Sequence, residues 1–209
     1  MPNHLDHFMY AGADLDKLVA TFESLSGLAA GRGGSHPGMG TRNALASLGA
    51  EVYLELIAPD PAQQPAETLA DQFRMFEQPR IFAYMIRAQD LQHLQELMLK
   101  AGVESDLIDA SRKTPAGATL TWRLLLPREN PFGEHMPKFI DWMGTTHPAS
   151  TSAKGCELTS FEIGHPEAAR LGAILHMLDV DVPLLRADRA YFRAQLGTPK
   201  GSLVLLGGS

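Results

Sequence analysis

Residues 36–61, HPGMGTRNALASLGAEVYLELIAPDP, decide how the rest of the chain is read. The segment opens as a glycine-rich loop. It continues as two short strands, roughly 42–48 and 51–57, joined by a tight turn at Gly49, and it stops hard at Pro-Asp-Pro. In the middle of the second strand sits Glu55, with Tyr53, Leu54, Leu56 and Ile57 around it. A carboxylate buried in such a strand costs on the order of several kcal/mol unless it is paired, protonated or metal-bound. Alternation in a half-buried antiparallel strand would instead turn Glu55 to solvent. Both readings stand on the strand pattern alone.

Before this stretch, residues 4–11 (HLDHFMYA) alternate and carry aromatics, which predicts a strand. Asp14 then caps a helix with Leu15, Leu18, Val19, Phe22 and Leu25 on one face, and Gly27 supplies its left-handed stop. With a short extra strand near 29–33, the order is β-α-β-β-β. A connector with prolines at 59, 61, 65 and 79 follows and holds a short helix at 66–76. The order then returns: a strand at 81–88, a helix from Asp90 to a stop at Gly102, and strands near 104–110, 118–126 and 138–143, with a turn at Gly117. It returns again from 157, with Pro166 at the first helical position and strands at about 181–186, 189–196 and 202–206. The segment AYFRAQL (190–196) has strand alternation, and Gly197, Thr198 and Pro199 after it favour a hairpin.

Such recurrence is an internal repeat. A shift of 76 places Leu15 on Leu91 and Leu18 on Leu94; a shift of 153 places Leu18 on Leu171, Phe22 on Leu175 and Leu25 on Leu178. The expected fold is α+β with three βαβββ units. Residues 1–150 form a main body of two paired units and residues 151–209 a third unit packed on it.

Composition narrows the function classes. The 209 residues are 44% hydrophobic and 20% charged, ordinary for a globular protein. A net charge of −6 with scattered basic residues argues against a nucleic-acid partner. No stretch has the ~20 apolar residues of a membrane span, and MPNHLDHFMY lacks a secretory signal pattern. One cysteine, Cys156, excludes an internal disulfide and a multi-cysteine zinc site, so a cytoplasmic setting is expected. There is no nucleophile elbow, no phosphate-binding Gly-Lys-Ser/Thr loop and no dinucleotide fingerprint.

The residues LDHFMYAGADLDKL, HPGMGTRNAL, YLELIAPDP and FIDWMGTTHP together resemble the vicinal oxygen chelate superfamily, in particular its glyoxalase-like branch. The resemblance implies a cupped mixed sheet around a divalent metal or an organic ligand, with metal ligands on the first and last strand of each unit. Carried onto this chain, it places His7 and Glu55 as ligands in the first unit and Asp141 in the second. The 76-residue shift puts Ala83 where a second histidine would stand, and the third unit offers no pair, since Ser160 and Leu205 fall there. Three ligands and a water would leave an open catalytic site, and imidazole with carboxylate suits Zn, Fe, Mn, Ni or Co. His7 and Glu55 are also the expected acid–base groups.

For a small-molecule ligand, the expected contacts are His36 in the glycine-rich loop, Arg42 as a planar clamp for an anion, Asn43 as an orienting group, Trp142 as an apolar wall and His147 just beyond it. Of Trp122 and Arg123, alternation sends only one into the cup. Two readings remain open: a glyoxalase-like enzyme acting on a small oxygenated molecule, metal-assisted or not, and a non-catalytic binder of the same fold. The resemblance also implies association through the sheets as a homodimer.

Overall fold

The computed structural model describes residues 3–63, 68–113, 117 and 119–208. The start of the helix expected at 66–76 and the first residue of the strand expected at 118–126 lie outside them. In chain order the elements are β1 (His4–Ala11), α1 (Leu15–Ser26), β2 (Gly31–His36), β3 (Thr41–Ser47) and β4 (Tyr53–Pro59), then α2 (Leu69–Arg74) in the connector. A second set follows: β5 (Arg80–Arg87), α3 (Leu91–Lys100), β6 (Ser105–Lys113), β7 (Thr119–Pro127) and β8 (Lys138–Asp141). After the single turn of α4 (Pro148–Thr151) come β9 (Glu157–His165), α5 (Ala168–Met177), β10 (Leu184–Arg186), β11 (Tyr191–Thr198) and β12 (Gly201–Gly208).

Local chemistry sets these boundaries. Asp14 accepts backbone bonds from Asp16 and Lys17 at the start of α1, and Gly27 ends it at φ 79°, a left-handed conformation that glycine adopts without steric cost. Asp90 caps α3 in the same way. Pro166 stands just ahead of α5 rather than inside it, because β9 runs on to His165 and Glu167 takes the cap position.

The first two units build one eight-stranded sheet in the order β2-β3-β4-β1-β5-β8-β7-β6. Each unit pairs its first strand with its last in parallel, β1 with β4 and β5 with β8, and the units join antiparallel through β1 and β5. The sheet curls until its two ends meet. Arg112 on β6 donates from Nη1 to the Gly33 carbonyl of β2 at 2.6 Å. The third unit has the same element order but a different pairing, β10-β9-β11-β12. Its first strand lies between β10 and β11 and not beside β12.

One face of the large sheet is covered by α1, α3 and the third unit. Phe8 of β1 stacks on Phe161 at 5.3 Å between centroids, and Tyr84 of β5 meets Phe192 edge-on at 5.8 Å. Leu15, Leu18 and Phe22 of α1 and Leu91, Leu94 and Met98 of α3 join the same core. The concave face is left to line a cup, and α2 closes one end of it by burying Phe73 against Met9, Ile57 and Phe82. Among the described residues no helix is long and apolar enough to cross a membrane.

Two contacts of the third unit are sharp enough to test. A Cβ on Gly207 would lie 2.0 Å from the Ile81 carbonyl oxygen, backbone against backbone. Gly207→Ala should therefore cost about 1–3 kcal/mol in urea unfolding. Gly197→Ala, whose Cβ would meet only Thr159 Oγ1 at 3.9 Å, serves as the control. Equal midpoints for the two variants would refute this account of the docking.

His135 stacks on Phe192 (4.2 Å, 11° between planes) and lies 5.4 Å from the His165 ring, and its Nε2 is buried without a partner among the described residues. Burial first, and His165 second, push its pKa down to about 4; burial also lowers that of His165. The unfolded chain takes up these protons near pH 6.5, the folded one only at lower pH. Their contribution to stability is thus complete above about 6.5 and is lost as pH falls toward 4. His135→Phe keeps the stack and removes the titration. Its melting temperature should fall less than the wild type's between about pH 7 and pH 5, and equal slopes would show that the pair plays no part.

Candidate functional site

The site is built on the central strands β1, β3 and β4. Strand β4 is buried along its whole length between β3 and β1, which settles the question posed by Glu55: the carboxylate is 6% exposed and points into the cup. His7 of β1 faces it, with Nε2 3.6 Å from Glu55 Oε2. Asn43 of β3 shares the face and donates from Nδ2 to Glu55 Oε1 at 2.6 Å. The same amide reaches His36 Nε2 at 3.1 Å, and His36 Nε2 lies 3.7 Å from Glu55 Oε1.

A bulge supplies the group behind His7. In the β1–β5 ladder Leu5 pairs with Ile86 and His7 with Met85, so Asp6 is an extra residue on β1. Bulges re-aim side chains, and here Asp6 and His7, neighbours in sequence, turn to each other. Asp6 Oδ1 lies 2.7 Å from His7 Nδ1. Asp6 Oδ2 accepts from Arg87 Nε at 2.9 Å, Trp142 Nε1 at 3.0 Å and His147 Nε2 at 3.0 Å. Asp6 is fully buried. Burial raises its pKa, but the bonds from His147 and His7 together outweigh burial and hold the carboxyl well below the usual range.

Because Asp6 accepts the hydrogen bond from His7 Nδ1–H, Nε2 is the free lone pair of the ring. Tyr53 stacks on the imidazole at 4.4 Å and 19°, which fixes its plane. At 3.6 Å the Nε2 lone pair and Glu55 Oε2 are too far apart for a hydrogen bond. Two acceptors this close favour a donor group that reaches both from beside the pair. His36 is fixed in the same tautomer: Nε2 accepts from Asn43, and Nδ1 lies 2.9 Å from Thr41 Oγ1. Burial lowers its pKa against the pull of Glu55, so it is neutral. Gly33 makes room for this cluster, since a Cβ there would fall 2.1 Å from Asn43 Oδ1.

The family profile for the glyoxalase-like domain matches residues 5–178, most of the chain and all of the cup. The chain belongs to the glyoxalase-like domain family. Its fold is similar to that of a hypothetical protein from Staphylococcus aureus, at TM-score 0.67 and 18% identity, over 100% of this chain and 86% of that one. A methylmalonyl-CoA epimerase in complex with methylmalonyl-CoA and NH4+ matches at TM-score 0.50 and 17% identity, over 71% of this chain and 100% of its own. A mutant of 4-hydroxymandelate synthase from Streptomyces coelicolor matches at 0.49 and 15%, over 100% and 64%. At these identities the likeness concerns fold alone. No curated protein matches the sequence.

In this glyoxalase-like protein the residues expected from sequence divide into three groups. His7, Glu55, His36 and Asn43 meet in the cup. Trp142 and His147 come to the site, but their ring nitrogens hold Asp6, so they support His7 from behind. Arg42 and Asp141 are not brought in. Alternation on β3 sends Asn43 inward and Arg42 outward, where it pairs with Asp16 of α1 at 3.2 Å. Ile140 of β8 and Trp142 just after it take the cup face, so Asp141 points away and accepts from the Met143 backbone N–H at 2.8 Å. The expected ligand set of His7, Glu55 and Asp141 is therefore corrected: its third member lies on the other face of the sheet. Trp122 faces the cup, while Arg123 turns out to Asp109 at 2.6 Å.

Asp6, Arg87, Tyr53 and Arg112 were not signalled by the sequence pattern. A carboxylate beside a histidine in an apolar strand was the available clue for Asp6, but strict alternation puts such neighbours on opposite faces.

Proposed function

We propose that this protein is an acid–base enzyme that moves a proton on a small oxygenated organic molecule, with His7 Nε2 as the base. The observation that carries this reading is the Asp6–His7–Glu55 line: a buried carboxylate fixes the imidazole tautomer and leaves Nε2 facing Glu55 Oε2 across 3.6 Å. A substrate C–H or O–H placed against that pair meets the base on one side. The Glu55 carboxyl on the other side receives or returns a proton. Asp6 stabilises the imidazolium that forms, as a positioned carboxylate does for a catalytic histidine. Asn43 holds Glu55 in place.

A divalent ion of the kind the superfamily suggests would need more donors than converge here. Asn43 Nδ2 stands between His36 Nε2 and Glu55 Oε1, Asp141 is on the far face, and no group of three His, Cys, Asp or Glu suited to a metal occurs among the described residues.

The test is solvent-deuterium incorporation, followed by NMR, into a panel of small aldehydes, 2-oxo acids and 2-hydroxy acids. Exchange catalysed by the wild type and lost in His7→Ala supports the reading. Binding without exchange across the panel would make the protein a sequestering binder. A stoichiometric transition metal in the purified protein that is absent from His7→Ala would replace proton transfer by metal chemistry.

A further inference from the structure

The unexplained group in the cup is Arg112. It hangs from β6 on the same face as Ile108 and Ala110, which pack in the cluster with Trp122, Tyr53 and Met85 that lines the cup. Arg112 is only 6% exposed. Its Nη1 bond goes to the neutral Gly33 carbonyl, and among the described residues no carboxylate lies within ion-pair distance. Its charge is felt at His36 and at Tyr53, where it acts against protonation of the first and favours ionisation of the second.

A guanidinium this buried is normally paired with an anion. Joining β6 to β2 explains one N–H, and any neutral donor would serve for that. Among the described residues the charge has no ion-pair partner, and a planar fork is the geometry that takes a carboxylate by two parallel bonds. The polar groups form a series: Arg112 on the Gly33 carbonyl with its charge felt at His36, His36 Nε2 3.7 Å from Glu55, and Glu55 3.6 Å from His7. That series gives an anionic end of a ligand one place to sit and its reacting end another.

We propose that the cup binds short-chain carboxylic acids, with the carboxylate on the Arg112 guanidinium and the other end against His7 and Glu55. This deepens the proton-transfer reading by naming its substrate class, and it rests on that reading only for which end reacts. The Arg112 side chain supplies the counter-charge that distinguishes an acid from its uncharged ester.

Isothermal titration of the full chain with pyruvate and malonate, and with methyl pyruvate and inorganic phosphate, tests the assignment. Either acid should bind at millimolar concentration and methyl pyruvate should bind at least tenfold more weakly. Arg112→Met should lose the acids while keeping whatever weak affinity it has for the ester. Arg112→Lys, which keeps the charge but not the fork, should weaken the acids several-fold and guards against a Met variant that fails to fold. Acid and ester binding alike, acid binding untouched by both variants, or no acid binding at all would overturn the proposal. Phosphate binding as tight as malonate's would overturn the carboxylate assignment. The two proposals fail separately. Arg112-dependent acid binding without deuterium exchange retires proton transfer alone, and exchange on neutral carbonyl compounds without acid binding retires this one alone.

Discussion

Replacing Asp6 by alanine is expected to lower the unfolding free energy by about 3–5 kcal/mol, the usual cost of breaking a buried charge pair from one side. For a chain of this size that corresponds to a drop in melting temperature of roughly 6–20 °C. Asp6 is fully buried, and its two oxygens serve four donors, on His7, Arg87, Trp142 and His147. These donors come from β1, β5, the end of β8 and the start of α4, so the carboxylate ties both halves of the large sheet together. Alanine leaves a cavity and four unmet donors. The Arg87 guanidinium is partly exposed and can recover some hydration, which keeps the expected cost within this range. Asp6→Asn should lose less, since one carbonyl oxygen remains, although its amide sets a donor against a donor. The acid side follows the same logic. A carboxyl held below its usual range lends stability above about pH 4 and loses it as pH falls further. Denaturant titrations of the two variants at neutral pH decide the matter; a loss below about 1 kcal/mol for Asp6→Ala would mean that water replaces the carboxylate.

The second large effect is on catalysis. His7→Ala should reduce the proton-exchange rate by about 10²–10⁴, the range for removing a general base, and Glu55→Gln should fall in the same range if both groups handle the proton. Asn43→Ala, which releases Glu55 without removing it, should cost less. Asp6→Asn separates positioning from mere folding. The amide can present its oxygen or its NH2 to His7 Nδ1, and the second orientation favours the tautomer whose Nε2 carries a proton. The variant should lose kcat at unchanged KM and shift the acid limb of the pH profile. A His7→Ala enzyme exchanging at the wild-type rate would remove His7 from the mechanism.

Much of the fold was legible. The repeat, the helix caps at Asp14 and Asp90, the stop at Gly27 and the hairpin at 190–196 depend on local spacing, and local spacing is what a sequence displays. His7, Glu55, His36 and Asn43 were legible too, through motifs that place them on cup-facing positions. Arg42 and Asp141 were misplaced for one reason. Each is a plausible polar residue on the right strand, and a shift of one position in alternation decides its face. The third unit repeated the order of the others, but order does not dictate which strands pair.

The stretch at residues 36–61 thus carried, by itself, the loop, the two strands and the position of Glu55. Its burial had to wait until β4 was seen between β3 and β1. The sequence by itself determined which segments are strands and helices, because hydrophobic period and capping are local. Only the tertiary structure decided which polar groups meet. The bulge that turns Asp6 toward His7, the approach of Trp142 and His147 from more than a hundred residues away, and the meeting of β2 with β6 that places Arg112 on the Gly33 carbonyl all depend on how the sheet twists and curls. That curvature is set by packing across the whole molecule and leaves no periodic trace in the chain.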